Sequence, residues 1–327
     1  MNDFLKIAVF RLWRILALCL LVAMSSAHAE VNKIKFGQIR ISFYAVAGAV
    51  VQEVLTKLGH DFEVVERLHP DIFPKLGAGE IDTLVAAWLP YGHAEYWTKY
   101  GDCCVEIATL YEGAHFFWAV PDYVPSDVVA NVNDLAKPEV AARMQKLIKG
   151  TGPGSGLMIQ SRKMMEEYGL SAAGYTLEPS PGNEWIERLR EVVAQKQWVV
   201  TPLWQPQYLN QAISLRKLNE PLGLMGGKNR GVLVISKKLA SELPESTLKV
   251  LRRIHLGLDA VTQMDYRVNV EGKTPREAAR EWMARNRAVV DGWYQTYLPQ
   301  ATSSLPPGKA WPESQYPCDS LACRFSV

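Results

Sequence analysis

Two tryptophans occupy near-identical local settings. Trp88 lies in Ala87-Trp88-Leu89-Pro90 and Trp204 in Leu203-Trp204-Gln205-Pro206, each at the end of an apolar run with strand character. Proline supplies no N–H and stops a strand, so both indoles are held at strand ends. Phe43 and Tyr44 follow an earlier strand-like run, and Phe116 falls within Gly113-Ala114-His115-Phe116. A single tryptophan is more often core than ligand wall. The repeated Trp-x-Pro placement favours a shared aromatic box. The chemistry that needs one is a quaternary ammonium: it carries full charge but no N–H, so ring faces hold it, each contributing about 0.5–2 kcal/mol. A buried carboxylate partner would instead carry a desolvation penalty.

The other end of such a ligand needs hydrogen-bond donors. Gly152-Pro153-Gly154-Ser155-Gly156 precedes a helical pattern and can offer backbone N–H groups near Gly154 and the Ser155 hydroxyl; a purely structural turn is the alternative. The segment lacks the Lys-Ser/Thr ending of a phosphate-binding loop, and Pro153 breaks the pattern of a nucleophile elbow. His60, His69, His93, His115 and His255 are scattered, and no nucleophile is paired with a base. A binding protein, not an enzyme, is therefore expected. A primary amine would call for acids at the cleft; Asp82 and Glu112 are candidates but fit surface roles better.

The elements that must position these residues alternate between strand-like and helical patterns, the rhythm of βα units and a mostly parallel sheet. Ile34 and Phe36 mark a first strand; Val46, Val50, Val54 and Leu58 mark a helix closed by Gly59; strands are expected at Phe62–Val65, Thr83–Trp88 and Phe116–Val120. The middle of the chain reads as helix Asn133–Ile148, the glycine turn, helix Leu157–Tyr168, then strand, helix and strand at Tyr175–Leu177, Glu184–Gln195 and Trp198–Leu203. A strand at Val232–Ser236 and two long helices, Thr247–Asp265 and Pro275–Tyr297, follow. The expected organisation is a leader at 1–29, an outer lobe from 30–120 and 223–298, an inserted lobe at 121–222, and an irregular tail at 299–327. Ligands of open α/β sheets sit beyond the carboxyl ends of strands, which is where the aromatic residues fall.

The leader combines Lys6, Arg11 and Arg14 with an apolar run too short to span a bilayer and an Ala27-His28-Ala29 cleavage pattern, so export is expected. Its removal leaves 33 of the 36 basic and 33 of the 34 acidic residues, a neutral chain without the footprint of a nucleic-acid binder. Cys103, Cys104, Cys318 and Cys323 remain, an even number suited to an oxidising compartment. Pairing of Cys318 with Cys323 is favoured; cross-links from the adjacent pair to the tail are equally legal. No histidine lies at ligand spacing from either pair, so no metal or cofactor is expected.

Leu58-Gly59-His60, Gly79-Glu80-Ile81-Asp82, Ala87-Trp88-Leu89-Pro90, Tyr111-Glu112-Gly113-Ala114, Gly152-Pro153-Gly154, Tyr168-Gly169-Leu170, Trp204-Gln205-Pro206 and Leu218-Asn219-Glu220-Pro221 follow one another in an order that resembles the substrate-binding proteins of glycine betaine, choline and proline betaine ABC importers. The resemblance runs from about Val31 to Trp293. It implies a two-lobed periplasmic-binding-protein (venus flytrap) fold with a ligand cleft between the lobes. It also implies walls at Trp88, Phe116 and Trp204 with either Phe43 or Tyr44, and a polar end met near Ser155. The implied partners are a small quaternary-ammonium ligand and a membrane permease with its ATPase, engaged by a monomer in the periplasm. Members usually carry His after Trp-x-Pro; Gln207 stands there in this chain.

Overall fold

A computed structural model describes residues 33–180 and 182–295. The expected leader, the tail and the Cys318–Cys323 pairing lie outside the described residues. Strand β1 (Ile34–Ile39) is buried at all but one position, and helix α1 (Ser42–Lys57) follows it at once. The helix is apolar on nearly every face because it is covered on more than one side: β1 and β3 (Thr83–Leu89) lie against it, as do α10 (Leu258–Asn269) and α11 (Pro275–Arg285). Between them, β2 (Phe62–Arg67) and α2 (His69–Gly77) complete a βαβ rhythm.

The main sheet has strand order β2-β1-β3-β9-β4-β7, where β4 is Cys104–Pro121, β7 is Thr201–Gln205 and β9 is Asn229–Ser236. β1 is parallel to β2 and β3; the remaining neighbours, including the short β8 (Leu215–Lys217) beside β4, are antiparallel. The expected two-lobed α/β fold is present, but its main sheet is mixed with mainly antiparallel pairings and not mostly parallel, because β9, β7 and β8 all run against their neighbours. A parallel pair, β5 (Leu147–Gly150) and β6 (Thr176–Pro179), is linked through α5 (Gly156–Glu167). Strand β3 is buried throughout because it lies inside the sheet with both faces covered, which is why it reads as an unbroken apolar run.

The long strand β4 determines how the lobes meet. It pairs with β9 from Cys104 to Ala114 and with β7 from His115 to Ala119, so one strand belongs to both halves of the sheet. The sequence marks only Phe116–Val120 as strand. The earlier part is hidden because register shifts at Glu106/Ala108, Thr109/Tyr111 and Glu112/Ala114 interrupt the two-residue alternation that signals a strand.

Three expected helices are different in the structure. Asn133–Ile148 is not one helix but a 3₁₀ turn (Val132–Ala136), a short α4 (Pro138–Ala141) and then β5. Pro138 forces Lys137 out of the helical region, to ψ 131°, and the continuous pattern is cut there. The stretch Thr247–Asp265 divides into α9 (Glu245–Leu251) and α10 around Gly257, whose φ of +83° suits glycine. The last pattern divides at Asn286 into α11 and α12 (Arg287–Tyr294). Phe43 and Tyr44 lie in the first turn of α1.

Candidate ligand-binding cleft

Strand β3 delivers Trp88 fully buried, with its indole Nε1 donating to the Tyr111 hydroxyl at 2.9 Å. Phe116 and Trp204 are cross-strand partners on β4 and β7. From α1, the Phe43 ring reaches between the tryptophans, its centroid 5.7 Å from that of Trp88 and 5.8 Å from that of Trp204. Trp88 and Phe116 are 4.9 Å apart. Four of the residues singled out in the sequence therefore share one aromatic cluster. Tyr44 packs on Phe43 at 3.9 Å and turns to a pair of buried histidines, with its hydroxyl 3.4 Å from His93 Nε2. His93 Nδ1 accepts the Trp88 backbone N–H at 2.9 Å, which places the ring proton on Nε2. Burial lowers His69 to about 4 and holds His93 well below its ordinary value, so both rings are neutral at pH 7 and offer a cationic ligand no repulsion.

A cleft of about 350 Å³ opens beside this cluster. Arg40, Ser42 and His69 line one wall; Ser180, Trp185 and Trp204 face them, with Gln207 beside Trp204. The Trp185 and Trp204 rings are 5.9 Å apart. Three polar atoms of the lining are buried without a partner among the described residues: Ser180 Oγ, Trp204 Nε1 and Gln207 Oε1. A buried polar atom left unpaired costs roughly 1–3 kcal/mol, so three in one lining favour a bound molecule or water that pairs with them. The wall can thus offer an indole N–H, a hydroxyl and an amide to the polar end of a ligand whose apolar or cationic end rests on indole.

Among the residues chosen from sequence, Trp204 lines the cleft directly. Phe43, Trp88 and Phe116 pack behind it and are absent from the lining, as is Tyr44. Ser155 caps α5, accepting the Met158 N–H at 3.2 Å, and shares a 2.7 Å hydrogen bond with Thr151, whose own side borders the cleft. Gly154, at φ +77°, accepts the Tyr96 hydroxyl at 2.9 Å. Sequence reasoning passed over Trp185 and Ser180. Trp185 shares helical spacing with Leu189 and Val192, so it reads as core of α6 (Glu184–Ala194). Ser180 follows directly on β6, and the strand-end rule that selects Trp88 would have found it.

The 152–156 turn is also where the lobes touch. A side chain on Gly156 would meet the Gly92 carbonyl oxygen at 2.0 Å, and one on Gly154 would meet Pro70 at 2.6 Å. Asn229, almost wholly buried, ties this region together: its Oδ1 accepts the Tyr91 and Gly92 N–H groups at 2.8 Å each, and its Nδ2 faces the Ala114 carbonyl at 3.4 Å. Gly156→Ala should therefore wedge the lobes apart, weakening ligand affinity by roughly 1–2 kcal/mol while leaving each lobe folded. Calorimetry and small-angle scattering check this: unchanged affinity and unchanged dimensions would show that the contact does not matter for closure.

Asp265 fastens the segment after Trp204. Its Oδ2 accepts the Tyr208 N–H at 2.8 Å, its Oδ1 accepts Asn269 Nδ2 at 3.0 Å, and the Ser42 hydroxyl also donates to it. Burial outweighs these bonds and raises the carboxyl from 3.8 to about 6. The folded chain thus holds a proton between pH 4 and 6 that the unfolded chain has released. This contribution to stability is full below about pH 4 and is lost as pH rises through 6, a change of about 3 kcal/mol. Urea unfolding of the native protein and of Asp265→Asn at pH 4, 5, 6 and 7 isolates it. The difference between the two should change across that window, and a constant difference would mean that Asp265 does not titrate there.

A family model described as the substrate binding domain of ABC-type glycine betaine transport systems matches residues 32–285. The glycine betaine/carnitine transport binding protein GbuC of Listeria monocytogenes is 23% identical over 158 residues, 48% of this chain and 52% of that protein, so the match spans about half of the relative's length. The lactococcal OpuAC structure, closed and complexed with glycine betaine, superposes with a TM-score of 0.72 at 25% identity, covering 80% of this chain and 99% of that one. A choline-binding protein of an ABC transporter in complex with choline superposes with a TM-score of 0.71 at 17% identity over 80% of this chain and 91% of that one, a likeness of fold alone.

Proposed function

Because the chain belongs to the family of substrate-binding domains of ABC-type glycine betaine transport systems, we propose that it captures a small quaternary-ammonium compound outside the cytoplasm and presents it to a membrane permease and its ATPase. The family is one of solute-binding proteins, and in this account nothing is turned over. The observation that carries the reading is the cleft lining, where two indoles adjoin three buried polar atoms without partners among the described residues. A trimethylammonium group rests on Trp204 and Trp185 through cation–π attraction, and the ligand's oxygen end meets Ser180, Gln207 and the indole N–H. Phe43, Trp88 and Phe116 form the packed base that fixes the Trp204 ring, with Tyr44 below them. Gly154 and Ser155 hold the lobe contact and the start of α5.

In this reading the chain passes between the lobes inside β4, a crossing supported by the change of its partner from β9 to β7 at Gly113–His115. Residues 1–29 act as the export leader. Both walls of the cleft come from one chain, so a monomer suffices. Closure follows hinge motion, in which ligand stabilises the arrangement that the permease recognises. Tryptophan fluorescence tests the site directly: adding glycine betaine or choline should change emission from Trp185 and Trp204, and the change should disappear in a Trp185→Phe, Trp204→Phe protein. A change that persists in that variant places the ligand elsewhere.

A further inference from the structure

Cys103 and Cys104 are not part of the cleft lining and lie where a 3₁₀ turn (Gly101–Cys103) passes into the first residue of β4. Their Sγ atoms are 2.7 Å apart, well inside the van der Waals separation of two sulfurs and approaching the about 2.0 Å of a bond. Cys103 Sγ also faces two acceptors, the Tyr100 and Leu76 carbonyls at 3.1 and 3.5 Å, while Cys104 is buried. As two thiols the pair is crowded, and the crowding is relieved by joining them. Among the described residues, no group of three or more His, Cys, Asp or Glu could complete a metal site around them.

We propose that Cys103 and Cys104 form a disulfide with each other when the chain meets an oxidising environment, closing a ring across a single peptide bond at the start of β4. The oxidant is a disulfide donor of the glutathione type. The more accessible Cys103 attacks it as a thiolate and one glutathione leaves. Cys104 then attacks the Cys103 sulfur of the mixed disulfide and the second glutathione leaves. The protein pair loses two electrons; the donor gains them and carries away both protons. Adjacent Cα atoms stand about 3.8 Å apart, closer than in ordinary disulfides, so the ring is strained and opens readily to thiol reductants. Cys104 pairs with Ser236, at the opposite end of the β4–β9 ladder from Ala114, so either redox state leaves the cleft intact.

The full-length protein is equilibrated with oxidised glutathione, denatured, alkylated with iodoacetamide and digested. The peptide carrying both cysteines should be unalkylated and lighter by two hydrogens, and should take one label per cysteine only after reduction. The same result is expected in a Cys318→Ser, Cys323→Ser chain. Alkylation of both thiols before reduction, or recovery of this peptide cross-linked to one containing Cys318 or Cys323, overturns the proposal.

Discussion

Trp88→Ala should lower stability by about 3–5 kcal/mol, the largest effect expected of any single change around the cleft. The indole is fully buried, packs against Phe43 and Phe116, and donates to the Tyr111 hydroxyl. Truncation leaves a void at the centre of the aromatic cluster and strips the buried Tyr111 of its donor. Trp88→Phe keeps most of the packing and loses the hydrogen bond, so a smaller loss of about 1–2 kcal/mol is expected. Urea denaturation separates the two. Equal losses in both variants would mean that the hydrogen bond, and not the packing, dominates at this position.

Trp204→Ala acts on affinity instead. One indole face contributes about 0.5–2 kcal/mol to holding a quaternary ammonium, and the Nε1 donor adds about 1 kcal/mol when it meets the ligand's oxygen. Together they predict a loss of about 1.5–3 kcal/mol, or roughly 10- to 150-fold in Kd. Trp204→Phe retains a face without the donor and should fall between the native protein and the alanine variant. An alanine variant that binds as tightly as the native protein would take Trp204 out of the site.

Much of this arrangement is legible in the sequence because the rules involved are local. Proline two residues after each tryptophan marks a strand end, helically spaced apolar residues mark α1, an unbroken apolar run marks β3, and the glycine-rich turn marks the start of α5. Legibility fails where several structural causes share one stretch of chain. The first half of β4 carries bulges that scramble its alternation, so the strand that joins the lobes looks like loop until Phe116. Pro138 breaks a pattern that is otherwise helical. Burial direction is not local at all: Trp88 and Trp204 have the same motif, yet Trp88 is enclosed between Phe43 and Phe116 while Trp204 borders open space. Trp185 and Ser180 join the cleft through tertiary packing, which sets the Trp185 ring against Trp204 of β7 and places both residues in one lining.

Gln207 illustrates the same limit from the other side. The sequence shows only an uncharged residue three positions after Trp204, whereas the structure shows that its Oε1 is buried, without a partner among the described residues, and in the same lining as Trp204. An amide can present either an acceptor or, after rotation, a donor, so it accommodates a carboxylate or an alcohol without changing charge.

A cleft that holds a quaternary ammonium by ring faces binds such compounds in preference to a polyamine. Isothermal titration calorimetry of the mature protein against glycine betaine, choline, carnitine, proline betaine and a polyamine tests it most directly. Saturable binding of at least one quaternary-ammonium compound, lost or sharply weakened in Trp204→Ala, is the predicted result. Binding of the polyamine alone, with no heat from any quaternary-ammonium compound, would contradict it.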